Sequence, residues 1–161
     1  MKNKFIKGKT MRNFRNYFVM LTVAIMALFG ASCSSSDDEE ELDVFIKYGD
    51  PSTFNSVYNS HPGPKALIDI RSAADFAKGS LPGAVNFPAD VYNTQDNDSQ
   101  WCKDIKAVYS TNTCLFIFGT TNFTLTTAVG GRASKIGFGK QNSRVSEKGY
   151  AELIKIWVGE K

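Results

Sequence analysis

Residues 66–88, ALIDIRSAADFAKGSLPGAVNFP, constrain the fold more than any other part of this chain. Residues 66–70 form a short apolar run with β-branched side chains, which predicts a strand buried on both faces of a sheet. Ser72 is a residue type that caps the start of a helix, and Gly79 is placed to end that helix. A proline-glycine pair then predicts a turn into a second short strand at residues 84–87.

The rest of the chain continues this alternation of strands and helices. Beyond the amino-terminal region, the most hydrophobic run is residues 114–118, which predicts a central strand covered on both faces. The alternation predicts an α/β domain at residues 44–161, with a mainly parallel sheet and helices on both faces. The other predicted elements are strands at residues 44–47 and 144–146 and helices at residues 51–59, 99–109, 125–136 and 150–157.

Two of these helices carry more specific expectations. Trp101, Ile105 and Val108 recur at spacings of four and three, which predicts one buried face. Gly130 and Gly131 would each weaken their helix by about 1 kcal/mol relative to alanine. We therefore expect this glycine pair to let the helix pack closely on the sheet.

Residues 66–88 also resemble the rhodanese homology domain. Members of that family carry an aspartate-x-arginine strand end, followed by a glycine-x-isoleucine-proline-glycine-alanine signature. Ser80 stands where the family commonly has histidine. The resemblance covers roughly residues 42–157 and implies the rhodanese-like α/β fold, a mainly parallel five-stranded sheet with helices on both faces. The matching residues are Leu67, Ile68, Asp69, Ile70, Arg71, Asp75, Phe76, Gly79, Leu81, Pro82, Gly83, Ala84, Val85, Asn86, Phe87 and Pro88.

The loop after residues 114–118 is the predicted binding site. In an open α/β sheet, ligands bind beyond the carboxyl ends of the central strands. Successive backbone N–H groups at the start of a helix hold an anion there without any charged side chain. The predicted binding loop consists of Gly119, Thr120, Thr121, Asn122, Phe123, Thr124 and Leu125.

This loop departs from the family at the residue that performs the chemistry. Active members of the rhodanese family carry a nucleophilic cysteine at the first residue of the loop. Here that position falls on Thr120 when counted back from Gly137 and Phe138, or on Gly119 when counted from the strand end. The arginine that family members usually carry near the end of the loop is also missing. The resemblance therefore implies a fold and a pocket, with no catalytic residue assigned.

Two charged residues at the end of the first buried strand have a functional and a structural interpretation. In the family, Asp69 and Arg71 line the rim of the pocket, where Arg71 would help to bind an anion. Structurally, Asp69 would accept hydrogen bonds from loop amides and Arg71 would pair with Asp75. We favour the structural interpretation, because a buried carboxylate needs donors whatever its function.

The amino terminus has the pattern of a secretory signal peptide, predicted to span residues 1–32. Residues 1–17 contain six basic and no acidic residues, and residues 18–29 are apolar. This run is short for a membrane span, which needs about 20 apolar residues. Small residues then precede Cys33, in a pattern that resembles a bacterial lipobox and implies a lipidated Cys33. An ordinary signal peptide is the alternative, and Met11 is an alternative start to Met1.

Residues 33–43 are polar and acidic and predict a disordered tether, because such a segment cannot bury apolar area. The run SSSDDEEE within it resembles the surface-export signal of Bacteroidetes-type lipoproteins. Leader and tether together predict an outer-membrane lipoprotein of the bacterial cell envelope, attached to the membrane through lipid on Cys33. A periplasmic and a surface location both remain open.

The other two cysteines, Cys102 and Cys114, form an even pair in a chain predicted to enter an oxidising compartment. Either a disulfide or two buried thiols would fit the sequence. The spacing alone does not place their Cα atoms within the roughly 7 Å that a bridge requires.

Charge and histidine content argue against two classes of partner. The whole chain has a net charge of +3, but without the six basic residues of the leader it has 13 basic and 16 acidic residues, or −3. This excludes a basic surface for nucleic acid. His61 is the only histidine and lies in a loop away from other ligand types, so we predict no metal site and no cofactor.

Two functional hypotheses from different classes result. The first is a lipid-anchored, non-catalytic rhodanese-like module that binds a small anion, a peptide or a protein partner through residues 119–125. The alternative is a sulfurtransferase, or a related hydrolase, that uses an atypical nucleophile such as Thr120. A loop filled by Phe123, with no cavity left, would instead indicate a passive structural domain.

Overall fold

The fold is a five-stranded, fully parallel sheet with helices on both faces, which confirms the predicted architecture. The computed structural model describes residues 44–121 and 123–159, so the predicted signal peptide, Cys33 and the tether lie outside the described residues. The strands are β1 (Ile46–Tyr48), β2 (Lys65–Asp69), β3 (Ala84–Asn86), β4 (Cys114–Phe118) and β5 (Ser143–Ser146), in the spatial order β1-β5-β4-β2-β3.

Helices connect successive strands, as a parallel sheet requires. They are α1 (Pro51–Ser60), α2 (Ala73–Ala77), α3 (Gln100–Val108), α4 (Phe123–Ala133), α5 (Gly139–Asn142) and α6 (Tyr150–Trp157), with a π-helical segment at Ser134–Phe138. Among the described residues, no helix is both long enough and apolar enough to cross a bilayer.

Strand β4 lies at the centre of the sheet and is buried along its whole length, as its apolar sequence predicts. It pairs with β2 on one side and β5 on the other. Because side chains alternate along a strand, Leu115 and Ile117 face one core cluster while Phe116 and Phe118 face the other. One strand therefore supplies both layers of the core.

The two core clusters assign the helices to faces of the sheet. Trp101 and Ile105 of α3 and Val129 of α4 pack in the cluster that contains Ile117. On the other face, α1 and α6 contribute their buried residues to the cluster around Phe116. Helices α3 and α4 thus cover one face, and α1 and α6 cover the other.

The unit that follows β2 forms as its sequence predicts. Ser72 caps α2, and its hydroxyl oxygen accepts a hydrogen bond from the backbone N–H of Asp75 at 3.1 Å. Gly79 has a φ of +136°, a conformation that residues with a side chain rarely adopt, and the helix has ended by this residue. The turn then leads into β3, which pairs with β2.

Helix α3 differs from the prediction at its carboxyl end. Trp101 and Ile105 are buried, but Val108 is 61% exposed and Cys102 is buried instead. The helix ends at Val108, and Tyr109 continues in an extended conformation and packs its side chain against the core. Tyr109 therefore covers the region that the periodicity assigned to Val108.

Helix α4 begins two residues before its predicted start and ends as regular α-helix at Ala133, before the predicted Ile136. The chain then widens into the π-helical segment. Gly137, predicted to end the helix, has a φ of +117° and breaks the helical path there. Because residues with a side chain rarely adopt this φ, the prediction that the helix ends at Gly137 is confirmed.

Close packing of α4 on the sheet depends on one glycine of the predicted pair. A Cβ atom at Gly130 would lie 2.3 Å from Cγ2 of Val145, which is fully buried in β5. At Gly131, the nearest atom would be 3.7 Å away, an ordinary contact distance. The expectation is therefore confirmed for Gly130 and wrong for Gly131.

The two cysteines of the domain are free thiols. Cys102 packs in the cluster under α3, whereas Cys114 packs in the cluster on the opposite face of the sheet. The sheet lies between their side chains, and no disulfide joins them in this structure. Burial raises the pKa of both thiols, although Arg144, which donates a hydrogen bond to Sγ of Cys114 at 3.1 Å, opposes this for Cys114.

The packing of Gly130 predicts opposite effects for two neighbouring substitutions. Gly130→Ala should lower the free energy of unfolding by about 1–3 kcal/mol, because the added methyl group would lie 2.3 Å from Cγ2 of fully buried Val145 and force a shift in the core. Gly131→Ala is the matched control and should raise the free energy of unfolding by up to about 1 kcal/mol through helix propensity. Urea unfolding measures both, and equal effects of the two substitutions would contradict the packing assigned to Gly130.

Candidate functional site

The predicted binding loop lies at the carboxyl end of β4, where the sheet meets α4. Gly119 is buried, Thr120 and Thr121 are exposed, and α4 begins at Phe123. Asn122 lies outside the described residues. The loop is short, and Phe123 and Leu125 pack partly against the core cluster of that face. The described residues of the loop, 119–121 and 123–125, thus lie at the edge where open α/β sheets bind ligands.

The start of α6 supports this loop. The backbone N–H of Tyr150 donates a hydrogen bond of 2.9 Å to the carbonyl of Gly119. Gly149 packs against the loop so closely that a Cβ atom there would lie 2.8 Å from the carbonyl carbon of Thr120. Gly149 was not predicted as a site residue, because the start of α6 and the end of β4 meet only in the folded chain.

The loop offers one of the two possible nucleophile positions to a ligand. A Cβ atom at Gly119 would lie 3.0 Å from Cγ1 of Ile70 and 3.1 Å from Oγ1 of Thr126, so a side chain there would be crowded. Thr120, by contrast, is exposed. Position 120 is therefore the more accessible of the two.

Asp69 and Arg71 form a buried ion pair. Asp69 has no exposed surface and Arg71 is 9% exposed. Nη2 of Arg71 donates to Oδ2 of Asp69 at 2.6 Å, and Nε of Arg71 donates to both carboxylate oxygens at 3.0 and 3.1 Å. The backbone N–H of Arg71 also donates to Oδ1 at 2.9 Å. The carboxylate is thus held by several charge-assisted hydrogen bonds.

This ion pair ties three segments of the chain together. Ser80 donates its hydroxyl to Oδ2 of Asp69 at 2.6 Å, and Nη2 of Arg71 donates to the carbonyl of Gly79 at 2.7 Å. Asn86 in β3 donates its amide to the carbonyls of Asp69 and Arg71, at 3.0 and 2.9 Å. The serine that replaces the common histidine of the family therefore has a defined role, which sequence reasoning did not identify.

The structural interpretation of this pair needs one correction. Arg71 pairs with Asp69 and not with Asp75, which lies on the surface and pairs with Lys78 at 2.9 Å. The guanidinium of Arg71 also lies over the ring of Tyr150, 3.9 Å from its centroid, a favourable cation–π contact. Since Tyr150 also holds the carbonyl of Gly119, it links the ion pair to the binding loop.

A cleft of about 290 Å³ opens beside α4. Two residues of the predicted binding loop, Thr124 and Leu125, form part of its wall, so a cavity adjoins the loop although Phe123 packs partly into the core. The remaining lining residues were not predicted as site residues, because they come from an irregular segment and from the middle of α4. They are Val91, Thr94, Gln95, Ala128 and Arg132.

The part of the chain that the structure describes contains no group of three or more histidine, cysteine, aspartate or glutamate side chains arranged to hold a metal ion. The ring of His61 contacts the ring of Phe116, with a centroid distance of 5.8 Å. Partial burial, followed by the charges of Arg144 and Lys65, lowers the pKa of His61, so its neutral form is favoured at pH 7.

A sequence model of the rhodanese-like domain matches residues 54–155 of this chain. The chain belongs to the rhodanese-like domain family. A solved structure with similarity to this fold is the rhodanese-like domain of an Anabaena protein, determined by solution NMR. It shares 14% sequence identity and a TM-score of 0.49, over 70% of this chain and 74% of that one. No curated protein sequence matches the chain.

The buried ion pair of this rhodanese-like domain predicts a large loss of stability on substitution. Asp69→Asn should lower the free energy of unfolding by about 3–5 kcal/mol, because it leaves a buried guanidinium without its countercharge. Glu152→Gln removes the exposed pair with Lys148 and is the control, with an expected change within about 1 kcal/mol. Thermal or urea unfolding distinguishes them, and a similarly small change for Asp69→Asn would contradict the structural role.

Proposed function

We propose that this chain is a lipid-anchored protein of the bacterial cell envelope whose rhodanese-like domain binds a ligand without transferring sulfur. The observation that carries the proposal is the residue at position 120. In the loop after β4, a side chain at position 119 would be crowded by Ile70 and Thr126, and the exposed position 120 holds threonine where sulfur transfer needs a thiolate.

The other cysteines of the domain are poor substitutes for a loop thiolate. Cys114 begins β4, at the end of the strand opposite the loop, and Cys102 lies in α3. Both are buried, and burial raises the pKa of their thiols. A reactive cysteine requires the opposite, an accessible thiol with a lowered pKa.

The sequence of the binding loop supplies no base to activate Thr120. A threonine hydroxyl attacks only when an adjacent base removes its proton. Residues 119–125 are Gly, Thr, Thr, Asn, Phe, Thr and Leu, and none of these side chains is a base at neutral pH. This argues against the alternative of a sulfurtransferase or hydrolase with an atypical nucleophile.

The loop after β4 leads into the start of α4 and is held by the start of α6, which suits it to binding a ligand. The start of a helix favours negative charge nearby, although the backbone N–H of Phe123, the first residue of α4, donates to the carbonyl of Thr121 at 3.0 Å. Tyr150 and Gly149 fix the loop from the side of α6. A small anion, an acidic peptide segment or a protein partner would use these groups in the same way.

The sequence of the amino terminus supports membrane attachment. Six basic residues, a short apolar run and small residues precede Cys33, and the acidic segment after it separates the anchor from the domain. We place the protein at the outer membrane, in either the periplasmic or the surface leaflet, with lipid on Cys33 as its contact with the bilayer.

The absence of sulfur transfer predicts a negative result in a direct assay. Purified protein with thiosulfate and cyanide should form no thiocyanate above the rate without protein. Thr120→Ala and the adjacent Thr121→Ala should give the same background. Thiocyanate formation that is lost in Thr120→Ala and retained in Thr121→Ala would contradict the proposal and identify Thr120 as a nucleophile.

The anchor predicts a change of location on a single substitution. Cys33→Ala should release the protein from the membrane fraction and abolish labelling by palmitate, because the thiol that receives the lipid is removed. Ser36→Ala, in the same acidic segment, is the control and should stay in the membrane fraction with its label. Unchanged membrane association of Cys33→Ala would refute lipid anchoring through this residue.

A further inference from the structure

The cleft beside α4 is formed by two segments of the chain. It lies between α4 and the segment that leads from β3 to α3, and it contains one cationic side chain, Arg132. Its volume of about 290 Å³ is near the lower limit of the roughly 300–1,000 Å³ found for small-molecule sites. A small organic ligand would therefore fit in it.

Arg132 holds the opposite wall in place through neutral oxygens. Its Nε donates to the carbonyl of Thr94 at 3.1 Å, and its Nη1 donates to the side-chain oxygen of Asn97 at 2.8 Å. Its Nη2 donates to the carbonyl of Gln95. A guanidinium has five N–H donors, so two remain beyond these three bonds in a side chain that lines the cleft.

The charge of Arg132 has no countercharge among the described residues, which include no carboxylate within ion-pair distance of it. The nearby acids are engaged within their own segment. Asp90 accepts the backbone N–H groups of Tyr92 and Asn93, and Asp96 accepts that of Asp98. A half-buried guanidinium bonded only to neutral groups favours an anion as a further partner.

The other residues that line the cleft favour a ligand with an apolar part. Val91, Leu125 and Ala128 present carbon to the cleft, while Thr94 and Thr124 contribute hydroxyl groups. The hydroxyl of Thr94 already donates to the carbonyl of Asp90 at 2.6 Å, so it adds no free donor. A fully hydrated inorganic anion would satisfy Arg132 but would leave this apolar wall without a partner.

We infer that this cleft binds a small organic carboxylate, with its carboxylate on Arg132 and a short apolar body against Leu125 and Ala128. This inference deepens the proposed function and rests on it, because Thr124 and Leu125 belong to the proposed binding loop. The carboxylate would take the two remaining guanidinium donors, and the apolar body would replace water on the apolar wall.

A titration of the full chain, labelled with ¹⁵N, with hexanoate tests the inference. Hexanoate should shift the amide resonances of Thr94, Leu125 and Ala128 in a saturable way. Hexanol lacks the charge and acetate lacks the apolar body, so each should bind at least about tenfold more weakly. Equal affinity for hexanol, or no saturable shift at these amides with hexanoate, would overturn the inference.

Two variants distinguish hexanoate binding in the cleft from nonspecific binding. Ala128→Trp should abolish hexanoate binding by filling the cleft, and it leaves the hydrogen bonds of Arg132 in place. Arg132→Gln should weaken binding at least about tenfold, although it also releases the opposite wall. Lys135→Gln, an exposed charge in the following π-helical segment, is the control and should bind like the parent. Unchanged binding by Ala128→Trp would overturn the inference.

The outcome is independent of the assay for sulfur transfer. Absence of hexanoate binding together with absence of thiocyanate formation would overturn the carboxylate site and leave the non-catalytic module in place. Hexanoate binding together with thiocyanate formation would support the site and contradict the proposed lack of activity.

Discussion

The buried ion pair between Asp69 and Arg71 is the interaction on which the edge of the sheet that carries the proposed binding loop depends. A buried charge is costly unless its partners are complete, and here the carboxylate receives donors from Arg71 and Ser80. The guanidinium reaches the carbonyl of Gly79 and lies over the ring of Tyr150. The end of β2, the turn before β3 and the start of α6 are therefore fixed relative to one another.

The binding loop takes its shape from this arrangement. Tyr150 contacts Arg71 with its ring and the loop with its backbone N–H, and Gly149 allows α6 to approach the backbone of Thr120. None of these supporting contacts involves a catalytic thiol. The family fold and the proposed absence of sulfur transfer are compatible, because the residues that support the loop differ from the residue that would react.

Much of this architecture could be predicted from local sequence. The apolar run of β4 and the cap, stop and turn residues around α2 act through near neighbours, so the sequence specifies them directly. The network around Asp69 was only half predicted, because Ser80 reaches it from eleven residues away through a turn. The cleft at Arg132 was not predicted, since Arg132 and Thr94 lie 38 residues apart and meet only in the folded chain.

The central claim is that this rhodanese-like domain has kept its fold without a sulfur acceptor. Mass spectrometry of the reduced protein after incubation with thiosulfate, followed by alkylation, tests it most directly. Cys102 and Cys114 should carry no added sulfur atom, because both thiols are buried away from the loop. A persulfide on either cysteine of the natively folded protein would contradict it.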